Sequence, residues 1–437
     1  MRPMSDIGPL GGDEPDPLAQ MAAAMEQFFH MAGSGGGPGS TNWDAARQMA
    51  AAVASQGRSE PNVDPMARMQ LEQLVRVAEL QVADVTGLTS AEELRATALT
   101  RGQWAARTVD DYRPIFEQLS DSLGRLVTSQ LQQLDPEDLR DVGGLAGGIP
   151  GFDLSAMMAG LGELVGPAMT VAMAGSVVGQ LASRAFGSYD LPIPRPAGGE
   201  LAVILDGLDE FGRDWSLPTD DLRLWWCLHE AAHHLVLTQP AVQRRLSSLL
   251  ADHAGAFEAD PAALEAELGP IDPDEPEGLE QLQDLLANPD RLLGTLRSPR
   301  QRELMARIDA VVAAVEGYVD WVLDQVGERL LASAPMVAEA MRRRRVEADA
   351  GTRFVERIFG LELTQEKIDR GEAFVAAVAG AHGRDGLSVL WTHPEGLPTP
   401  VELDEPRLWM ARVGLSADDP LPELDEDLEI PDYPELD

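Results

Sequence analysis

The chain has 437 residues, 44% of them hydrophobic, which is enough for two domains or for one large domain with appendages. Its 73 acidic residues against 34 basic ones leave a net charge of −39, which opposes nucleic acid and anionic lipid membrane as partners. A single cysteine, Cys227, excludes an intramolecular disulfide, and the opening MRPMSDIGPLGGDEPDP lacks the apolar stretch of a secretory signal, so a reducing, cytoplasmic setting is expected.

Residues 1–40 are rich in Gly, Pro and Met and read as a flexible arm ending in the linker SGGGPGS. Residues 41–190 read as a helical domain, with Leu71, Leu74, Val75, Ala78, Val82 and Val85 forming one apolar stripe. Within it, Leu164–Ser183 carries no charge and is long enough to cross a bilayer. Ala and Gly dominate it, Pro167 and Gln180 interrupt it, and its only anchors, Arg184 and Phe186, stand at one end. A buried helix is therefore expected, with Gly175 and Gly179 allowing close packing.

Residues 191–416 read as the second domain, interrupted by an acidic, Pro-containing insertion at 258–280. Its clearest strand candidate is LAVILD, Leu201–Asp206, and LSVLWT, Leu387–Thr392, is a weaker one. Residues 417–437 form an acidic tail, with ten acids and no base in the last twenty positions. The fold class expected is α+β, predominantly α-helical.

The chemistry concentrates in LRLWWCLHEAAHHLVL, Leu222–Leu237, where His229 and His233 bracket Glu230 as HExxH. The helix is expected to begin near Thr219, after Pro218, with Asp220 and Asp221 at the positive end of its dipole. At about 100° per residue, Leu222, Trp225, Trp226, His229, His233 and Val236 share one face, so the two imidazoles can converge on one small cation such as zinc. Glu230 lies about 100° from His229, placed to meet a metal-bound water instead of the metal. His234 points well away. A HExxHxxGxxH ligand set is excluded, since Val236 and Gln239 occupy its later positions.

Zinc needs a third ligand. AVVAAVEGYVDWVLDQVGERL supplies a carboxylate pair on the edge of an apolar stripe, with Glu316 as the expected ligand and Asp320, one turn later, as the expected acceptor orienting a zinc histidine. His253 and Glu258 are the alternative third ligands.

HEAAHH with EGYVD, preceded by SYDLPIPRP and DDLRLWW and followed by RRRR and WTHPEGLPTPVELDEPRLW, resembles the zincin-like metallopeptidases of high-GC bacteria, some of which are associated with biosynthesis of a deazaflavin coenzyme. The resemblance runs from about Asn42 to Leu415. It implies a zincin-like catalytic domain over 191–416, zinc held by His229, His233 and Glu316, and Glu230 as base. Peptide or protein substrates are then expected, the extended chain pairing with an edge strand near LAVILD. A cation or phenol would steady the oxyanion, for which Tyr318, His382 and His393 are candidates. Two further readings stay open: a zinc hydrolase of a non-peptide amide, and a silent scaffold whose zinc is closed by a fourth protein ligand.

Overall fold

The computed structural model describes residues 41–133, 154–196, 198–256, 298–346 and 350–415. The N-terminal arm, the acidic insertion with Glu258, and the acidic tail lie outside the described residues.

Asn42 caps the first helix, α1 (Trp43–Ser55), by accepting from the Ala45 amide at 3.1 Å. Pro65 opens α2 (Pro65–Thr86), and Gly87 ends it in the left-handed region at φ 71°. Strand β1 (Arg95–Ala98) leads to α3 (Arg101–Asp111) and α4 (Arg113–Gln133). The long α5 (Leu154–Arg184) follows, and then β2 (Glu200–Val203), α6 (Leu205–Asp214), α7 (Thr219–Leu237) and α8 (Pro240–Gly255). The remaining described elements are helices: α9 (Pro299–Leu330), α10 (Ala334–Val346), α11 (Ala350–Ile358), α12 (Gln365–Thr392), α13 (Pro400–Asp404) and α14 (Pro406–Arg412).

Helix α5 packs along α1, as its glycines require. A Cβ at Gly179 would stand 2.5 Å from the Val53 Cβ, and one at Gly175 would stand 2.8 Å from the Met49 Cβ. Ala46, Ala50 and Ala54 supply the matching small face on α1. Among the described residues no helix is long and apolar enough to cross a membrane.

Two features depart from the sequence expectations. LSVLWT is helical, part of α12: its buried Leu387, Leu390 and Trp391 recur at three and four residues, the helical period. LAVILD is extended only to Val203, and Leu205 already begins α6. Strand β2 pairs in parallel with β1, from Arg95 against Glu200 to Ala98 against Val203. Its other side is also taken, because the Ile204 amide donates to the Phe186 carbonyl at 2.8 Å and the Ala202 amide to Ser188 Oγ at 2.8 Å. Backbone addition of a peptide to β2 is thereby excluded.

The boundary expected near residue 190 falls in the loop between α5 and β2. The buried core spans it, taking in Trp104, Tyr112 and Phe116 on one side and Trp226, Tyr318 and Trp391 on the other. Helix α7 runs through this core. Every residue from Trp225 to Leu237 is buried, with α2, α6, α8, α9 and α10 packed around it. The helix is apolar-faced on all sides instead of one, so polar groups on it need internal partners.

Candidate metal centre

Helix α7 begins at Thr219 after Pro218, and its acidic first turn is used: Asp220 accepts from Gln70 and Asp221 from the Ser333 amide and hydroxyl. About two and a half turns further on, the His229 ring stacks on Trp226 at 4.5 Å between centroids, and the His233 ring lies 4.3 Å from it. The two imidazoles are therefore neighbours, as the i, i+4 spacing requires.

His233 is committed at both nitrogens. Nδ1 lies 3.1 Å from the His229 carbonyl oxygen, which can only accept, so Nδ1 carries the proton. Nε2 faces Glu316 Oε1 at 3.2 Å, as a donor while it holds a proton and as a lone pair once that proton is gone. Two lone pairs facing at this distance need a cation or a proton between them. An imidazole nitrogen and a carboxylate oxygen are donor types that zinc takes together. Among the described residues the buried Nδ1 of His229 has no hydrogen-bond partner. Burial, with His233, Arg345 and Arg344 nearby, holds the His229 pKa well below the usual histidine range, keeping the ring neutral as a ligand must be. Among the described residues no three His, Cys, Asp or Glu side chains converge on one point as a finished metal cage. The donors are adjacent, with Glu316 turned partly toward Arg345.

Glu316 sits where α9 and α12 touch backbone to backbone. A Cβ at Gly371 would stand 1.9 Å from the Ala313 carbonyl oxygen, and one at Gly317 would stand 2.4 Å from the Gly371 carbonyl carbon. Glycine is therefore required at this contact. Glu316 Oε2 accepts from Arg345 Nη1 at 2.5 Å. Burial by itself would raise the carboxyl, but Arg345 and His233 outweigh it and bring the pKa to about 2.

Glu230 is wholly buried, with Oε2 accepting from the Ser188 amide at 2.8 Å and Oε1 from the Tyr189 amide at 3.0 Å. Its Oε1 lies 3.9 Å from His229 Nδ1. Burial pushes its pKa up to about 8, against the opposing pull of the two amides. The loop that presents those amides is itself held: Asp190 Oδ2 accepts from the Phe186 and Gly187 amides at 2.5 and 2.8 Å. Four successive amides are thus shared between two carboxylates.

Several expected roles fall elsewhere. Asp320 accepts from Arg345 Nη2, at 3.0 Å to each oxygen, and reaches the histidines only through Arg345 and Glu316, because the guanidinium fills the space between the two carboxylates. The His253 ring packs on Gly360 at the end of α8. Tyr318 packs on Trp321 and Trp391, about 200° around α9 from Glu316. His393 is exposed and accepts from the Glu395 amide, and His382 stands near the kink at Gly383. His234 pairs its Nδ1 with the Tyr189 hydroxyl at 3.0 Å, consistent with its exclusion as a ligand.

Arg345, Arg344 and the amides of Ser188 and Tyr189 carry no motif of their own. The available signal was four consecutive arginines in a strongly acidic chain, since a buried carboxylate pair demands a buried cation. A cleft of ≈ 220 Å³ is walled by Trp225, Asp320, Trp321, Arg345, Glu372 and Val375, so it meets the centre through Arg345, and none of His229, Glu230, His233 and Glu316 lines it.

The profile of the family described as zincin-like metallopeptidase matches residues 41–410. Among solved structures, one from Chloroflexus aurantiacus, described as a candidate hydrolase with a novel fold, is similar with a TM-score of 0.57 at 23% identity, covering 86% of this chain and 100% of that one. At that identity the likeness concerns the fold. No curated protein matches the chain.

Proposed function

The chain belongs to the zincin-like metallopeptidase family, and from that premise we propose that it is a zinc-dependent hydrolase of peptide bonds, with His229, His233 and Glu316 as the metal ligands and Glu230 as the general base. The observation that carries this reading is the approach of His233 Nε2 to Glu316 Oε1, 3.2 Å apart, with Nδ1 already committed to a carbonyl. The donor set suits zinc: two imidazoles, one with an unpartnered buried nitrogen, and one carboxylate held ionised.

Bound there, zinc would polarise a water and the scissile carbonyl. Glu230 would accept the proton of that water and later deliver it to the leaving amine. Its two backbone donors fix the carboxylate while leaving each oxygen a second lone pair for this work. A pKa near 8 suits a group that must both take and release a proton near neutrality. In this reading the partners are zinc and a peptide or protein substrate received in the cleft beside Arg345; nucleic acid and membrane are not partners.

A second reading, hydrolysis of a small non-peptide amide, is favoured by one feature: β2 has both edges engaged and offers an extended peptide no ladder.

Metal analysis of the purified protein should return about one zinc per chain, the content of a single three-ligand site. His229→Ala and His233→Ala should each remove most of it, and unchanged zinc in both variants would overturn the assignment. Digestion of a peptide library set beside a panel of small amides separates the two substrate readings, since only the first predicts cleavage inside long peptides.

A further inference from the structure

The run Arg342–Arg345 ends α10, and its last two members point to different places. Arg345 Nη1 donates to Glu316 Oε2 and its Nη2 to both oxygens of Asp320. Arg344 Nη2 donates to the Arg184 carbonyl at the end of α5, at 2.5 Å, and to Asp190 Oδ1 at 2.7 Å, while its guanidinium carbon lies 3.8 Å from the centroid of the Phe186 ring. Consecutive helix residues diverge by about 100°, so one helix end reaches both sides of the site at once.

We propose that Arg344 and Arg345 are positioning residues that hold the two halves of the centre in register, each through a carboxylate. The inference rests on the zinc-hydrolase reading given above. Arg345 sets the metal half. A guanidinium is planar and presents its donors as a fork, so it can bond Glu316 and Asp320 together, as a lysine ammonium on one flexible stem cannot. With Oε2 tied to Arg345, Glu316 has Oε1 alone to offer beside His233. Oε1 would be the oxygen by which Glu316 holds zinc. Arg344 sets the base half. It neutralises Asp190, Asp190 gathers the Phe186 and Gly187 amides, and the next two amides, of Ser188 and Tyr189, are thereby aimed at Glu230.

A purely structural role for the pair predicts something different. If the arginines only neutralise buried carboxylates, either substitution should loosen the whole region and affect zinc and the loop alike.

The test compares Arg345→Met and Arg344→Met in the full chain, with the lysine variants in reserve should a methionine variant fail to fold. Zinc affinity is read by chelator competition, and the Phe186–Tyr189 amides are read by hydrogen exchange. Arg345→Met should weaken zinc by about 10 to 100-fold, the usual loss when a ligand's partner is removed, and should leave exchange at 186–189 unchanged. Methylguanidinium added to Arg345→Ala should restore part of the affinity. Arg344→Met should bind zinc within about 3-fold of the unmodified protein and exchange those four amides at least about 10-fold faster, as expected for local opening without global unfolding. Equal effects of both variants on both readouts, or unchanged zinc in Arg345→Met, would overturn the inference. If the unmodified protein binds no zinc, the hydrolase reading fails along with the metal half, while slow, Arg344-independent exchange at 186–189 would defeat the base half on its own terms.

Discussion

Glu230 on α7 and Glu316 on α9 are both buried within one site, yet their carboxyls are driven in opposite directions. Glu230 has two backbone amides for partners and burial dominates, raising it to about 8. Glu316 suffers the same burial but faces the Arg345 guanidinium and His233, and it falls to about 2. A full positive charge at hydrogen-bond distance outweighs desolvation, and two neutral dipoles do not. The half of the site that must stay anionic to hold a metal is built on a cation. The half that must exchange a proton is met directly by backbone amides.

The largest expected effect tests the cation side. In the metal-free protein, Glu316→Gln removes the charge that Arg345 was bound to and leaves a guanidinium with Asp320 as its one remaining carboxylate. Breaking a buried pair from one side costs about 3–5 kcal/mol, with the lower end expected here because Asp320 remains. The Glu316 pKa is depressed, so this stabilisation is present above the ordinary carboxylate pKa and is lost as pH falls toward about 2. Chemical denaturation at pH 7 and pH 3 should therefore show the gap between the two proteins narrowing at acid pH. A constant gap would mean that Arg345 is not what holds Glu316 ionised.

Glu230 sets the opposite sign. Its folded-state pKa is raised from 4.5 to about 8, so the folded chain retains a proton that the unfolded chain has lost, and stability declines as pH rises through that window. Glu230→Gln, still able to accept from the Ser188 and Tyr189 amides, should flatten that decline across the window in chelator-treated protein. The variant should keep its zinc and lose hydrolysis. An active glutamine variant would place the base elsewhere.

The sequence made one side of this comparison legible and hid the other. HExxH, the inward face of α7 and the carboxylates one turn apart on α9 are local, periodic facts, and the structure brings His229, His233, Glu230 and Glu316 into one neighbourhood. The close packing of α5 was also readable, because Gly175 and Gly179 fall one turn apart in an uncharged stretch. The partners of the carboxylates were not readable. Arg345 is 29 residues from Glu316 and the Tyr189 amide is 41 from Glu230, and which arginines of the four turn inward depends on how α10 rotates against α9. LSVLWT failed for a related reason: six residues of mixed polarity fit either period, and only the packing of Leu387, Leu390 and Trp391 decides between them.

Gly371→Ala probes how Glu316 is placed without touching its charge. The added Cβ would stand 1.9 Å from the Ala313 carbonyl, so α9 and α12 must separate, and overpacking of this kind costs about 2 kcal/mol. Zinc affinity should fall with it, because Glu316 lies three residues along α9 from Ala313, whereas exchange of the Ser188 and Tyr189 amides should stay as it is. Faster exchange there would mean that the two halves are not mechanically separate.

The smallest effect belongs to the base side. Tyr189 gives its amide to Glu230 and its hydroxyl to His234 Nδ1, and its ring lies parallel to His233 at 5.9 Å. Tyr189→Phe keeps the amide and the ring and removes the hydroxyl alone. Burial keeps His234 neutral, with a pKa near 4, so the lost bond is one between neutral groups, worth about 1 kcal/mol. Thermal unfolding should register that loss, while zinc content, the Glu230-dependent pH decline and hydrolysis should match the unmodified protein. If Tyr189→Phe instead reduced turnover at full zinc occupancy, the phenol would be acting on the reaction through His233 or Glu230. The base half would then depend on more than its two amides.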